Sequence, residues 1–161
     1  MSELTFDSMA VFALHLAEAA VAVRVAEHHA LTKAAKLIEK TAKAEIGAYQ
    51  PAVGPFDAWA PLADSTVADR TAKGFTPDDP LLRSGELRDS IGFEVSGNEA
   101  AIGSTSDVMV YQELGTSKIP PRPVLGPAAY SNKEAVQAIL GKAVVHAMEY
   151  GSAANFIALP E

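Results

Sequence analysis

The 161-residue chain contains no cysteine, so thiol nucleophiles, disulfide frameworks and thiolate zinc sites are all excluded. A single domain of this length buries roughly 70 % of the surface that its unfolded chain exposes, and it needs no covalent or metal staple to fold. Aromatic residues are also scarce, at 7 % of the chain, although hydrophobic residues make up 48 %. These values indicate a globular domain with a modest, alanine-rich core.

Basic residues are outnumbered, with 13 Lys and Arg against 20 Asp and Glu, which gives a formal charge of −7. This balance argues against a chain built mainly to grip nucleic-acid phosphates. The acidic excess lies mostly after residue 50, because residues 1–50 are nearly balanced in charge. Composition therefore disfavours a protein whose main role is to bind nucleic acid.

Long uncharged hydrophobic runs are absent as well. The most apolar stretch, Met9 to Leu31, is interrupted by Glu18, Arg24 and Glu27 and by three histidines, so we predict no membrane span. The N-terminus MSELTFDSMAV carries acids where a secretory signal carries bases, and a cytoplasmic place of synthesis is the default expectation.

The first block, from about Thr5 to Gly47, predicts a long helix. It is rich in Ala, Leu, Glu and Lys, lacks proline, and ends at a glycine suited to a C-terminal cap. A helix of this length is longer than a small domain is wide, unless it bends near His28–Thr32. Apolar stripes on more than one side of this helix indicate that it needs a partner, which is a first sign of an oligomer.

The middle of the chain predicts a long loop followed by a hairpin. Residues 48–80 contain five prolines, and Asp64 to Lys73 within them predict a short helix. Ser84 is a candidate N-cap for a short helix over Gly85 to Ser90. The alternation from Ile91 to Val95, the turn at 96–99 and the segment Ala100 to Gly103 predict two antiparallel strands. Asp107 to Leu114 predict another short helix, closed by Gly115.

The last third opens with the extended segment SKIPPRPVLGP, whose prolines allow only an edge strand or a polyproline-like ligand; the edge strand is favoured. Ser131 to Glu134 have capping-box spacing for a C-terminal helix, which has an alternative start at Pro127 and which Gly151 closes. We therefore predict one α+β domain over 1–161, with a helical region 1–47, a long loop 48–80, a sheet region 81–126, a C-terminal helix 127–151 packed on the sheet, and a tail 152–161.

Candidate catalytic and metal-binding groups are few. His28 and His29 are adjacent and point about 100° apart on a helix, and His15 with Glu18 makes an incomplete metal site. Neither Ser84 nor Ser104 lies in a GxSxG elbow, and phosphate-binding glycine motifs are absent. We predict no catalytic residue, no metal and no cofactor. The sequence leaves a hydrolase using Ser84 or Ser104 with His146 as one alternative.

A basic helical edge supplies the other alternative. Lys33, Lys36, Lys40 and Lys43 recur at spacings of three and four, so they share one side of the first helix. A solvated face is the favoured interpretation. Contact with DNA or with an acidic neighbour is the competing one, and it makes a small nucleic-acid-associated factor the third hypothesis.

Five segments in succession carry a resemblance to a known family: WAPLADST, LLRSGELRDSI, AAIGS, VYQELGT and IPPRPVLGPA. Together they resemble the tail-component family of long-tailed bacteriophages, also called tail-completion or head–tail connector (neck) proteins, which occurs in prophages and gene-transfer agents. The resemblance covers about Trp59 to Ala129. The matching positions are Leu87, Ile91, Tyr111, Glu113, Gly115, Thr116, Pro121, Arg122, Pro123 and Leu125, with Val124 where the family usually has phenylalanine.

The resemblance implies a structural virion protein that assembles as a homo-oligomeric ring, expected to be a hexamer, at the head–tail junction. Its implied partners are itself, head connector or head-closure proteins, and tail terminator or tail tube proteins. The resemblance also implies that DNA passes through the ring without specific binding, and it implies no membrane. The candidate assembly interface comprises Trp59, Tyr111, Glu113, Gly115, Thr116, Arg122 and Pro123. Within it we expect Arg122, held rigid between prolines, to pair with Glu113 of a neighbouring subunit.

Overall fold

A computed structural model gives the architecture, and it describes residues 7–150, with side chains described as far as Ala147. Residues 1–6, Gly151, which is predicted to close the C-terminal helix, and the predicted tail 152–161 lie outside the described residues. The helices and strands, in chain order, are α1 (Met9–Glu45), α2 (Asp64–Ala72), α3 (Glu86–Asp89), β1 (Ile91–Ser96), β2 (Glu99–Ser104), α4 (Asp107–Leu114), α5 (Leu125–Ser131) and α6 (Lys133–Tyr150).

The predicted α+β class is confirmed, with a long N-terminal helix, two antiparallel strands and a C-terminal helix that contacts α1. α1 is continuous through His28–Thr32, where the Thr32 hydroxyl donates to the His28 carbonyl oxygen at 2.9 Å. The predicted helices at 64–73 and 107–114 and the predicted hairpin also form. Gly97, with φ 58, occupies the first position of its two-residue turn, where a side chain would strain the backbone.

Three local predictions are wrong. SKIPPRPV forms no strand, because its three prolines have no N–H for a ladder; the Arg122 N–H instead donates to the Gln112 carbonyl oxygen at the end of α4, at 2.6 Å. Gly85, with φ 90, occupies the N-cap position of α3 that the sequence predicts for Ser84. The Ser84 Oγ lies 3.5 Å from the Glu86 nitrogen, which is the long limit of a hydrogen bond. Ser131 is the last residue of α5 and does not cap α6. The predicted C-terminal helix forms as two helices, α5 from Leu125, close to the alternative start at Pro127, and α6 from Lys133.

The chain divides into two compact units. The first consists of the described residues of Met1–Ala34, Val95–Glu99 and Ala135–Glu161. Its small core joins Ala26 of α1 to Ala147 of α6, with Val23, Val25 and Ala143 packed around them. Alanines at these contacts let two helix backbones approach closely, so α6 covers α1 there.

The second unit, Ala35–Glu94 with Ala100–Glu134, has the larger core. Its buried members lie on α1, β1, α4 and α5, in the long loop, and at the positions directly after α1 and before α5: Ala42, Ile46, Trp59, Ile91, Met109, Val124 and Ala128. Partly buried leucines and Ile38 surround them. This core fixes the segments that carry the family resemblance.

Candidate functional site

The motif segments meet in the second unit through side chains that bind distant backbone. The Trp59 indole Nε1–H donates to the Pro123 carbonyl oxygen at 3.0 Å, inside the core. Arg122 is 5 % exposed, and its guanidinium donates to the carbonyl oxygens of Ala60 and Pro61 at 3.0 Å each. The proline-rich segment and the long loop are therefore tied together from both sides.

Glu113 forms the second half of this network. Its Oε2 accepts from the backbone N–H groups of Val124 and Leu125 at 2.7 and 3.1 Å, and its Oε1 accepts from Gly126 at 2.8 Å. These are N–H groups at the start of α5, which have no partner within the helix. Glu113 thus caps a neighbouring helix from outside, with a charge suited to a helix N-terminus.

Glu45, at the end of α1, lies close enough to Glu113 for the two side chains to interact electrostatically. Burial, and then the negative charge of Glu113, raises the pKa of Glu45 to about 7. Its Oε2 is buried and has no hydrogen-bond partner among the described residues, and Gln112 Oε1 is in the same state. The end of α1 also disfavours a carboxylate, since its unpaired carbonyls are the negative pole of the helix. With a pKa of about 7, Glu45 is about half protonated at neutral pH, which fits this environment.

The turn after α4 depends on Gly115 and Thr116. Gly115 has φ 72, and a Cβ atom there would lie 2.9 Å from the Pro121 nitrogen. The Thr116 hydroxyl accepts from the backbone N–H groups of Lys118 and Ile119 at 3.2 and 3.1 Å. The Gly-Thr pair therefore shapes the backbone that delivers the proline-rich segment to the core.

The structure divides the predicted interface residues into two groups. Trp59, Arg122 and Pro123 are buried within the chain, and Glu113 hydrogen-bonds to the start of α5. Arg122 and Glu113, expected to pair across a subunit boundary, each have backbone partners in the same chain. Tyr111 and Thr116 are exposed.

Tyr111 belongs to an apolar face of α4 that the sequence alone does not single out. Val110, Tyr111 and Leu114, here called the α4 face, are 54 %, 53 % and 75 % exposed. They lie within about 100° of one another around the helix, on the side away from the buried Met109. The α4 face is therefore an exposed apolar patch on a helix whose opposite side is buried in the core.

The N-terminal half of α1 is the second exposed apolar surface. Between Met9 and Val21 no described residue is buried, and the exposed side chains include Met9, Val11, Leu14, Leu16 and Val21. We call Met9–Val21 the apolar half of α1. By length and composition alone, α1 is long and apolar enough to cross a membrane, and 11 % of an apolar 18-residue stretch within it is buried. Core helices of soluble proteins and signal sequences pass the same test, so this property is weak evidence for a membrane.

An open cleft of about 470 Å³ lies in the second unit, beside the Trp59 loop. Its lining residues are Tyr49, Trp59, Pro61, Leu62, Asp64, Val67 and Asp78. The Tyr49 hydroxyl donates to Asp78 Oδ1 at 2.5 Å and accepts from the Leu62 N–H at 3.0 Å. The hydrogen bond to Asp78 raises the pKa of Tyr49. The cleft therefore combines an aromatic ring with two exposed carboxylates.

The remaining candidates give little chemistry. Ser104 Oγ lies 2.7 Å from Ser90 Oγ and accepts from the Ser106 N–H, and Ser84 is exposed. Among the described residues no group of three or more His, Asp or Glu side chains is placed to hold a metal ion. Comparison with protein-family models, with curated proteins and with solved structures gives no match for this chain.

Proposed function

We propose that this chain is a structural subunit of a phage or phage-like particle, which assembles as a ring at the head–tail junction and completes the tail or joins it to the head connector. The observation that carries the proposal is the exposure of large apolar side chains on the apolar half of α1, where Leu14 and Leu16 are 66 % and 52 % exposed. A contiguous apolar surface of this kind is typical of a protein–protein contact.

The network around Glu113 supports the same proposal. A carboxylate, a guanidinium and an indole bind backbone groups of their own chain instead of facing solvent. Such a network holds the α4 face in one geometry. A ring needs two different patches per subunit, each presented rigidly, and the apolar half of α1 and the α4 face meet that need.

The two alternatives gain nothing specific from the described contacts. The hydroxyls of Ser90 and Ser104 hydrogen-bond to each other, an arrangement that needs no catalytic role. Lys43 on the basic edge is paired with Glu39 at 2.6 Å, which leaves fewer charges for phosphate contacts. One observation does favour a second candidate: α1 is long and apolar enough to cross a membrane.

The test is native mass spectrometry and negative-stain imaging of the purified full chain, together with proteomics of particles sedimented from the source culture. We expect closed rings and enrichment of the chain in the particles. Leu14→Ser combined with Leu16→Ser, and separately Tyr111→Ser combined with Leu114→Ser, are expected to weaken ring formation. Ala20→Ser, on the same exposed helix, is the matched control and should assemble normally.

A chain that stays monomeric at every concentration and is absent from particles overturns the proposal. Flotation with liposomes separates the second candidate, because a membrane-inserted α1 carries the protein to the lipid fraction whereas a ring subunit stays below. Loss of flotation in the Leu14→Ser, Leu16→Ser variant would identify α1 as the inserted element.

A further inference from the structure

We propose that Lys36 and Lys40 of one copy of this chain dock at the cleft lined by Tyr49, Asp64 and Asp78 of a second copy. The inference rests on the proposed self-assembly and names one of its contacts. It joins two surfaces of opposite charge, which lie on different segments of the chain.

The cleft has the chemistry that an ammonium group requires. Asp64 and Asp78 line it and are exposed, and the Tyr49 ring stands beside them with 38 % of its surface exposed. Carboxylates and an aromatic face are the two groups that attract a lysine head group, while Leu62 and Val67 offer apolar wall to its methylene stem. Asp64 forms no ion pair among the described residues, so its charge is not neutralised within them.

Two lysines of the basic edge are likewise available for an intermolecular ion pair. Lys36 and Lys40 are exposed and form no ion pair among the residues that the structure describes, whereas Lys43 is bound to Glu39. The same contrast holds around the cleft, where Asp69 is neutralised by Lys73 and Arg83. Internal pairing thus occupies Lys43 and Asp69, whereas Lys36, Lys40 and Asp64 keep their charges available for a contact between copies.

The orientation of α1 directs the two lysines outward. Lys36 precedes Ile38 by two residues, and Lys40 precedes Ala42 by two. Ala42 is buried in the core, and Ile38 packs against it. Two residues correspond to about 160° around a helix, so each lysine points away from the core. Because the lysine edge and the cleft are different patches, they can join copies head-to-tail, an arrangement that closes into a ring when the rotation between subunits allows it.

The experiment uses two charge-altered forms of the full chain. One carries Lys36→Glu and Lys40→Glu. The other carries Asp64→Lys and Asp78→Asn, in which Asn keeps an oxygen that accepts the Tyr49 hydroxyl. Each form alone is expected to self-associate at least about tenfold more weakly than the unaltered chain, because like charges then face each other. Mixed in equal amounts, the two forms are expected to recover association, since each lysine or glutamate edge then meets a cleft of opposite charge.

Association is followed by sedimentation velocity at low and high salt, and circular dichroism confirms that each form is folded. The control carries Lys118→Glu and Lys133→Glu, which change the charge equally at exposed positions outside the proposed contact. Unaltered assembly in the lysine variant, or no recovery on mixing, overturns this contact and leaves the proposed function standing. An unaltered chain that never self-associates overturns both.

Discussion

The side-chain carboxylate of Glu113 accepts a 2.7 Å hydrogen bond from the backbone N–H of Val124, a buried residue that opens the way into α5. Two further N–H groups, those of Leu125 and Gly126, bind the same carboxylate. One side chain on α4 therefore substitutes for the cap that α5 lacks in its own sequence. This contact places the start of α5 beside α4 and fixes both ends of the proline-rich segment that connects them.

We expect Glu113→Ala to lower the free energy of unfolding by about 1–3 kcal/mol, because three N–H groups at the start of α5 lose a charged acceptor. Glu113→Gln should cost less, since its amide oxygen still accepts while its NH₂ group does not. Chemical denaturation followed by circular dichroism measures both. Glu94→Gln, an exposed glutamate on β1, is the control and should change stability by less than about 0.5 kcal/mol.

Much of the fold can be predicted from local signals. The helix at 107–114 with Gly115 behind it, and the alternation from Ile91 to Val95, are short-range patterns that the structure confirms. The prediction of an edge strand for the proline-rich segment is wrong. Prolines indicate an extended backbone, but they do not indicate which backbone group the segment hydrogen-bonds to. That partner is Gln112 in the preceding helix, and no spacing rule identifies it.

The candidate site is harder to predict for the same reason. Arg122 and Glu113 carry opposite charges, so an ion pair between subunits is the natural expectation, but both bind backbone groups of their own chain. Nothing in the local sequence marks Glu45, since its pKa depends on burial by residues far along the chain. The Tyr49–Asp78 contact joins residues 29 apart and leaves no local trace.

Glu45 predicts a loss of stability as the pH rises. Its pKa in the folded chain is about 7, against an ordinary value of 4.5, so the folded state binds more protons than the unfolded state between these limits. Stability therefore falls from about pH 4.5 to about pH 7 and is level above that. Glu45→Gln, which mimics the protonated form, should remove this decline and be the more stable protein at pH 8.

The measurement is the free energy of unfolding at several pH values from 5.5 to 8, and the difference between the unaltered chain and Glu45→Gln isolates this group from the histidines. Glu39→Gln, on the same helix but in an ion pair with Lys43, is the control and should not flatten the curve. Glu113→Gln should lower the pH range of the decline, because the charge of Glu113 is the second cause of the raised pKa. Parallel curves for the unaltered chain and Glu45→Gln would contradict the assignment.

Replacement of Arg122 by lysine is expected to destabilise the fold even though the positive charge is kept. The guanidinium reaches the carbonyl oxygens of Ala60 and Pro61 with a planar fork that a lysine ammonium does not reproduce. We expect Arg122→Lys to lower the free energy of unfolding by about 1–3 kcal/mol. Arg88→Lys, at an exposed position, should be neutral. A stable Arg122→Lys variant that fails only in assembly would instead place Arg122 at a subunit contact.

Gly115 offers the sharpest test of the turn that precedes the proline-rich segment. An alanine there combines a φ of 72 with a Cβ 2.9 Å from the Pro121 nitrogen and 3.0 Å from the Ile119 carbonyl oxygen, and neither backbone atom can rotate away. We expect Gly115→Ala to cost about 1–3 kcal/mol of stability. Gly103→Ala is the matched control, since a Cβ on that strand glycine meets no atom within 4 Å. Equal unfolding midpoints for the two variants in urea would show that the turn has room to adjust, and that the Pro121 backbone is not held where the structure places it.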